Sequence, residues 1–241
     1  MTVRHIALLA YPAMTALDLI GPHHILSMLP NVRVHLVAKT LEPITSDLGL
    51  VITPSTTFDD CPQQLEVLFT PGGTRGTLAA MEDEATLAFM RSRGQQARWV
   101  TSVCTGSLIL GAAGLLQGRR ATSHWVARDL LSRFGATPVD QRVVQDGNVL
   151  TGAGVTAGLD FALTLVATIA GTEHARKVQL VAEYDPAPPF DAGSPARAGQ
   201  ATTDAMREML APFLALATQA AQRWTPYAVS VTHGHHGSSS N

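Results

Sequence analysis

The sequence predicts an α/β protein in which a mostly parallel central sheet is covered by helices on both faces. Apolar segments with strand character alternate with segments of helical periodicity along the chain. The strands are apolar almost throughout, which is typical of strands that are buried on both faces. The 241 residues are enough for a full hydrophobic core in one domain. We therefore expect a single domain over residues 1–224 and a disordered tail over residues 225–241.

Strands are predicted where short apolar runs, rich in β-branched and aromatic residues, end at turn residues. In chain order these runs are residues 6–11, 32–38, 65–70, 99–103, 139–145 and 149–151, with a short strand or hairpin arm at 48–53. Asp146, Gly147 and Asn148 separate the last two runs, and this sequence predicts a hairpin turn. Helical segments separate most of the others, which indicates parallel pairing.

Helices are predicted where apolar residues recur at helical spacing and where glycine or proline marks an end. The predicted helices are residues 20–29, 84–95, 106–116, 123–134, 156–170, 172–183 and 202–224. Gly21 and Pro22 suit the first turn of the first helix, and Gly118 and Gly171 suit helix ends. Residues 185–199 are rich in proline, glycine and alanine, so we expect an extended loop there.

The charge balance argues against two classes of partner. The chain has 17 Lys and Arg against 19 Asp and Glu, so it has no basic excess that would attract nucleic acid. It also has no block of Lys and Arg for an anionic membrane surface. Residues 99–118 carry no formal charge and could span a bilayer, but their hydroxyl groups and glycines indicate a buried strand that continues into a buried helix. We expect neither nucleic acid nor a membrane as a partner.

The cysteines and histidines exclude two kinds of structural site. Cys61 and Cys104 are too few for a disulfide framework, which favours a reducing, cytoplasmic location. Outside the C-terminal tail, no cluster of metal-ligating residues is found in the sequence. His233, His235 and His236 in the tail could bind a metal, but a solvated tail is the simpler interpretation. His23 and His24 are adjacent, so they would point in different directions on a helix. We therefore predict no metal site.

Cys104 is the strongest candidate for a reactive side chain. It lies between an apolar strand and a helix of small residues, which is the arrangement of a nucleophile elbow. The helix N-terminus would lower the pKa of the thiol and stabilise developing negative charge. An unreactive buried cysteine fits the pattern equally well, because free cysteine is common in protein cores. Cys61, in a loop before Pro62, has no such setting.

Two further segments follow predicted strands at the same sheet edge. The segment PGGTRG at residues 71–76 places Gly72 and Gly73 where backbone amides can approach a ligand, although an ordinary turn is the simpler interpretation. Asp18 follows the first strand in apolar surroundings. It could cap a helix, or it could be a buried acid of raised pKa that moves a proton. Because ligands bind at the carboxyl edge of parallel sheets, we expect these residues to converge with Cys104.

Together these segments resemble the DJ-1/PfpI superfamily of class I glutamine-amidotransferase-like proteins. The resemblance covers about residues 4–200. It depends on LDLIGP at 17–22, PGG at 71–73, TSVCTGSLILGAAGLL at 101–116, ATSHW at 121–125, LTGAGVTAGLDFAL at 150–163 and EYDPAPPFDAGSP at 183–195. The PGG motif is general to the superfamily. The CTG turn paired with Asp18 and the PAPPF segment are similar to a narrower branch of isonitrile-hydrating enzymes.

The resemblance implies a flavodoxin-like, Rossmann-like sandwich with cysteine-dependent activity. Water would add to an isonitrile through a thioimidate on Cys104 and give an N-substituted formamide. The resemblance assigns catalysis to Cys104, Asp18 and Thr105, with Asp18 as the proton donor, and substrate binding to Gly72 and Gly73. It implies no metal, no organic cofactor and a homodimer.

The sequence departs from the family pattern at two positions, and two other functions stay open. Ile20 stands where the pattern has Thr, and Arg75 lies in a loop that is usually made of small residues; both bear on pocket size. One alternative is a ligand- or redox-sensing module like the amidotransferase-like part of AraC-type regulators. The other is a protease- or deglycase-like member, although Thr105 stands where many of those have His. His124 could act as a base for Cys104, but we favour a polar core or cap residue.

Overall fold

The computed structural model describes residues 2–225, so residues 226–241 of the predicted tail lie outside the described residues. The elements in chain order are β1 (Arg4–Leu9), α1 (Ala16–Leu26), β2 (Val32–Ala38), β3 (Ile44–Thr45), β4 (Val51–Ile52), β5 (Thr56–Thr57), β6 (Val67–Thr70), α2 (Arg75–Glu82), α3 (Glu84–Gly94), β7 (Trp99–Val103), α4 (Gly106–Ala112), β8 (Arg120–Ala121), a 3-10 helix (Arg128–Phe134), β9 (Thr137–Pro138), β10 (Val143–Asp146), β11 (Val149–Gly152), α5 (Ala157–Ala170), α6 (Thr172–Val181), α7 (Pro195–Ala198) and α8 (Gln200–Arg223).

The central sheet has seven strands in the order β10-β11-β7-β6-β1-β2-β5. All neighbouring strands are parallel except β10 and β11, which form the predicted hairpin around Gly147. The mostly parallel sheet is therefore confirmed. Two small sheets lie outside it, an antiparallel β3–β4 hairpin and a parallel β8–β9 pair. Since β6 lies between β1 and β7, the loops that follow these three strands emerge side by side.

The helices form two groups that pack among themselves, α1 with α5 and α6, and α2 with α3, α4 and α8. Every residue of β6 and β11 is buried, as expected for strands covered on both faces. Phe69 of β6 contacts Phe161 of α5, with ring centroids 5.6 Å apart. At the C-terminal end of α8, the Trp224 ring meets Phe134 edge-to-face at 5.5 Å, and its Nε1 donates to the Ala112 carbonyl at 3.0 Å. These contacts dock α8 against α4 and the 3-10 helix.

The first helix begins earlier than predicted. It starts at Ala16, so Pro22 lies in its interior and Asp18 in its first turn, with Thr15 at the N-cap position. The predicted start at residue 20 was wrong because proline was taken as a boundary. In the structure Pro22 packs against Gly158 of α5, where an added Cβ would lie only 3.2 Å from the proline ring. Tertiary packing thus overrides the local signal.

Other boundaries differ for similar reasons. Residues 123–134 form turns and a 3-10 helix, the predicted helix at 106–116 ends at Ala112, and the predicted loop at 185–199 contains the short helix α7. Helix α2 was not predicted, because Gly76 in its first turn indicated a loop. That glycine is required: its Cβ would lie 2.5 Å from the Pro12 carbonyl oxygen. None of the helices between residues 2 and 225 has the length and apolar character needed to cross a bilayer.

Candidate active site

Three loops at the carboxyl edge of the sheet bring the predicted site residues together. Asp18 comes from the turn of helix after β1, Gly72 and Gly73 from the loop after β6, and Cys104 from the turn after β7. The Gly72 N–H donates to Asp18 Oδ2 at 2.9 Å, and the charge of Asp18 acts on the Cys104 thiol. The convergence predicted from the strand order is therefore present.

Cys104 has a backbone conformation that L-residues rarely adopt. Its φ is +58°, in the turn between β7 and α4. Its N–H donates to the Ala153 carbonyl at 2.7 Å, and its carbonyl accepts the hydroxyls of Ser107 and Ser123 at 3.2 and 3.0 Å. A left-handed non-glycine residue costs on the order of 1 kcal/mol or more, so it persists only where its surroundings hold it. These hydrogen bonds hold the thiol at the base of a cavity.

The environment raises the pKa of Cys104 well above its ordinary value. Burial is the largest cause, and the negative charge of Asp18 adds to it. The N–H groups of Thr105 and Val155 act in the opposite direction by favouring the thiolate. The predicted lowering of the thiol pKa was therefore wrong in its net direction, because loss of solvation outweighs the backbone donors. Near neutral pH the resting Cys104 is a thiol.

Asp18 is fully buried, and its pKa is raised to about 7. Burial is the largest cause, and the nearby Asp47 also raises it, whereas the Gly72 N–H and the Cys104 thiol lower it. The Oδ1 atom of Asp18 is buried without a conventional hydrogen-bond partner. Asp18 accepts from the loop after β6, so the helix-cap interpretation was wrong. Near neutral pH this carboxyl group can therefore both take and release a proton.

Gly72 and Gly73 lie where the Cβ of any other residue would collide with neighbouring atoms. A Cβ on Gly72 would lie 2.5 Å from the Thr105 nitrogen and 2.9 Å from Asp18 Oδ2. A Cβ on Gly73 would lie 2.8 Å from the Ala13 carbonyl oxygen. Gly73 lines the cavity above Cys104, whereas Gly72 orients Asp18 through its N–H.

The Thr105 hydroxyl is fully engaged within the protein. It donates to the Gly73 carbonyl at 2.6 Å, accepts the Gly73 N–H at 2.9 Å, and lies 2.9 Å from the Thr77 hydroxyl. The Tyr11 hydroxyl continues this network, donating to the Pro71 carbonyl at 2.8 Å and lying 3.3 Å from Thr77. Sequence reasoning missed Tyr11 and Thr77; the Thr77 hydroxyl lies in the helix that was not predicted. The network joins the Gly72–Gly73 loop to the Cys104 turn.

A cavity of about 320 Å³ opens above Cys104. Its lining includes Thr15, Gly73, Thr74, Thr105, His124, Trp125, Val126 and Val155 on one side and Met206, Met209, Leu210 and Phe213 of α8 on the other. The sequence predicted α8 but not its position over the cysteine. Burial lowers the pKa of His124, so its imidazole is neutral at pH 7. The half-buried, neutral side chain of His124 thus forms part of the cavity wall.

The remaining candidate residues lie elsewhere. Ile20 and Arg75, the two departures from the family pattern, are both exposed, on α1 and at the start of α2. Cys61 is buried beside Arg93, and burial raises the pKa of its thiol. Between residues 2 and 225, no three His, Cys, Asp or Glu side chains are grouped so that they could hold a metal ion.

Comparisons with known proteins agree on the relatives of this chain. The DJ-1/PfpI family model matches residues 4–168. An isonitrile hydratase from Pseudomonas putida is 56% identical over 218 residues, which are 90% of this chain and 95% of that protein. The crystal structure of a THiJ/PfpI family protein from Pseudomonas syringae superposes with a TM-score of 0.90 at 54% identity, covering 92% of this chain and 91% of that one. Drosophila melanogaster DJ-1beta, at 21% identity and a TM-score of 0.68, shares the fold and covers 77% of this chain and 100% of its own.

Proposed function

Since this chain belongs to the DJ-1/PfpI family, we propose that it is a hydro-lyase that adds water to isonitriles and releases N-substituted formamides. One observation carries the proposal: the buried Cys104 thiol, which lines a small cavity, adjoins a buried carboxyl group of pKa about 7. The relative named isonitrile hydratase matches nearly the whole chain, including residues beyond the family model. The sequence prediction of the family and fold is thereby confirmed.

The first step joins the cysteine to the substrate carbon. As the Cys104 sulfur attacks the terminal isonitrile carbon, the ionised Asp18 takes the thiol proton, and the N–H groups of Thr105 and Val155 stabilise the developing negative charge on sulfur. Asp18 then gives that proton to the same carbon. The product is a thioimidate, S–CH=N–R, which contains all the atoms of the thiol and the isonitrile.

The second step releases the product. Water adds to the thioimidate carbon, the nitrogen gains a proton, and the carbon–sulfur bond breaks. Cys104 leaves with the bonding electron pair and regains its proton, so the net reaction consumes one water and forms R–NH–CHO. The positive φ of Cys104 and the bonds to its carbonyl support its role as a nucleophile elbow, because they keep the sulfur in place throughout. Gly73 and Thr105 shape the floor of the cavity.

Homodimer formation is part of the proposal. The β3–β4 hairpin exposes Leu48, at 94% of its surface, and Val51 at 60%, and on neighbouring α1 Leu17 is half exposed. The hairpin is fastened to the start of α1 by the Thr15 hydroxyl, which donates to Asp47 at 2.6 Å. Exposed apolar groups of this kind are commonly covered by a second copy. Light scattering should give the dimer mass, and Leu48→Glu should shift it toward the monomer.

Both cysteines are free, which supports the proposed reducing, cytoplasmic location.

The two alternative functions, a sensing module and a protease- or deglycase-like enzyme, have no feature of their own in the described residues. The residues of α8 pack over the Cys104 cavity, where they form part of its wall. Thr105, engaged in holding the Gly73 loop, replaces the histidine expected of a protease-like site.

The decisive experiment measures the hydration of an isonitrile by the purified protein. Purified protein is incubated with methyl isonitrile, and N-methylformamide is followed by proton NMR. We expect turnover by the wild type, none by Cys104→Ala, and normal turnover by the matched control Cys61→Ala. Absence of formamide with the wild type, or an active Cys104→Ala protein, would overturn the proposed function.

A further inference from the structure

One wall of the Cys104 cavity is an apolar stripe on α8. Met206, Met209, Leu210 and Phe213 recur at helical spacing, so they share one face of the helix. Phe213 is 8% exposed and anchored in the core. Met206 and Met209 are 38% and 62% exposed, because they border the cavity mouth instead of packing fully. Across the cavity the stripe faces Trp125 and Val126.

None of the described residues that line the cavity presents a charged side chain to a ligand. Among its lining residues within 2–225, Cys104 and His124 are the titratable groups, and both are neutral near pH 7. A charged substituent would lose its hydration there without gaining a partner. An apolar substituent would instead be removed from water by methionine, leucine and aromatic side chains.

The stripe is held in a defined position. The Arg207 guanidinium lies 5.8 Å from the Trp125 ring centroid, and so ties α8 to the opposite wall by a cation–π contact. At the start of α8 the Thr203 hydroxyl donates to the Pro195 carbonyl of α7 at 3.3 Å, and at its end Trp224 is bonded to α4. The backbone of the wall is therefore fixed, while the unbranched methionine side chains can adapt to different shapes.

We propose that the α8 stripe is the subsite for the N-substituent of the substrate, and that it selects isonitriles carrying uncharged alkyl, cycloalkyl or aryl groups. This inference rests on the proposed function. The C≡N–C unit of an isonitrile is linear, so a substrate whose carbon reaches Cys104 holds its substituent at a distance from the sulfur, within the cavity. The volume of about 320 Å³ lies at the lower end of ligand pockets, which suits a single short chain or ring.

The placement of the stripe in the chain agrees with a role in selectivity within the family. The family model ends at residue 168, so α8 lies outside the part that the model matches. The match to the Pseudomonas putida isonitrile hydratase covers 90% of the chain. The uncovered part is shorter than the segment that follows Phe213, so the match extends past the stripe even if all uncovered residues are at the C-terminal end. The stripe is therefore within the part shared with that relative.

The test compares two lysine substitutions on the same helix. Met209→Lys places a charge at the cavity, whereas Leu216→Lys places it at a position of α8 that is 53% exposed and outside the cavity lining. Both start from largely exposed side chains, so both should fold. KM and kcat are measured for methyl, n-propyl, n-butyl and cyclohexyl isonitriles, with circular dichroism as a check on folding.

With the wild type we expect KM to fall by up to about fourfold for each added methylene, the factor that corresponds to about 0.8 kcal/mol per buried methylene. Met209→Lys should raise KM for the butyl and cyclohexyl substrates at least tenfold, and by a much smaller factor for the methyl substrate. Leu216→Lys should match the wild type throughout.

Two results would overturn the subsite while leaving the function intact: a KM in the wild type that does not depend on the substituent, or equal behaviour of the two lysine variants. Failure of the wild type to hydrate any isonitrile, methyl isonitrile included, would instead overturn the proposed function and the subsite with it. The methyl substrate, which barely reaches the α8 stripe, thus separates the two failures.

Discussion

Replacing Asp18 with Asn should stabilise the protein and inactivate it. The pKa of this buried carboxyl group is raised from 3.8 to about 7. An acid whose pKa is higher in the folded state binds more protons there, so its contribution to the free energy of unfolding falls as the pH rises from about 4 to about 7 and is constant above. A shift of about three units corresponds to a cost of roughly 4 kcal/mol at pH 8, at 1.36 kcal/mol per unit.

Asn cannot ionise, so it avoids this cost. Its oxygen can accept the Gly72 N–H, and its amide group replaces a carboxyl oxygen that has no hydrogen-bond partner. If burying the amide offsets half of the gain, about 2 kcal/mol remains, which raises the melting temperature by roughly 4–8 °C for a domain of this size. Turnover should fall by about 10²–10⁴, because Asn carries no transferable proton.

The assay is calorimetry of wild type and Asp18→Asn from pH 4 to pH 9, with turnover of methyl isonitrile at pH 7.5. The difference in melting temperature should be near zero or negative at pH 4, grow up to about pH 7, and then level off. The exposed Asp129, on the 3-10 helix, supplies a control, and Asp129→Asn should show no such profile. A difference that does not depend on pH, or normal turnover by Asp18→Asn, would refute the reasoning.

Three further outcomes follow from the same site. Asp47→Asn removes a charge that raises the pKa of Asp18, so the midpoint of the Asp18-dependent melting profile should move to lower pH. The move should be less than about one pH unit, since burial is the larger cause of the raised pKa. An unchanged midpoint would exclude Asp47 as a contributor. Gly72→Ala should cost about 1–3 kcal/mol or more in urea denaturation and remove most turnover, because its Cβ would lie 2.5 Å from the Thr105 nitrogen; a stable, active variant would contradict the geometry. Thr77→Val should lower stability by about 1–3 kcal/mol and turnover only modestly, since it removes a hydrogen bond from the Thr105 hydroxyl, which positions the loop. Loss of all activity in a folded Thr77→Val variant would assign the Thr77 hydroxyl a more direct role.

The local features of the fold could be read from the sequence because they depend on short-range patterns. The strand at Trp99–Val103 has the predicted bounds, and the hairpin around Gly147 pairs as expected, because short apolar runs and turn residues act over a few positions. The order of strands and helices also sufficed to place Asp18, Gly72 and Cys104 at one sheet edge, since parallel strands direct their carboxyl ends the same way.

Properties that depend on distant segments were decided by tertiary structure. The start of α1 was misjudged because Pro22 was taken as a boundary, whereas in the structure it lies inside the helix and packs against Gly158, more than a hundred residues away. The direction of the Cys104 pKa shift was misjudged because the sequence shows only the N–H donors of the helix that follows, whereas the loss of solvation comes from the whole surrounding fold. The position of α8 over the cavity follows from its docking on α4 and the 3-10 helix, which no periodicity within α8 could indicate. Short-range patterns thus determined which side chains carry the chemistry, and long-range packing decided their protonation and the cavity in which they act.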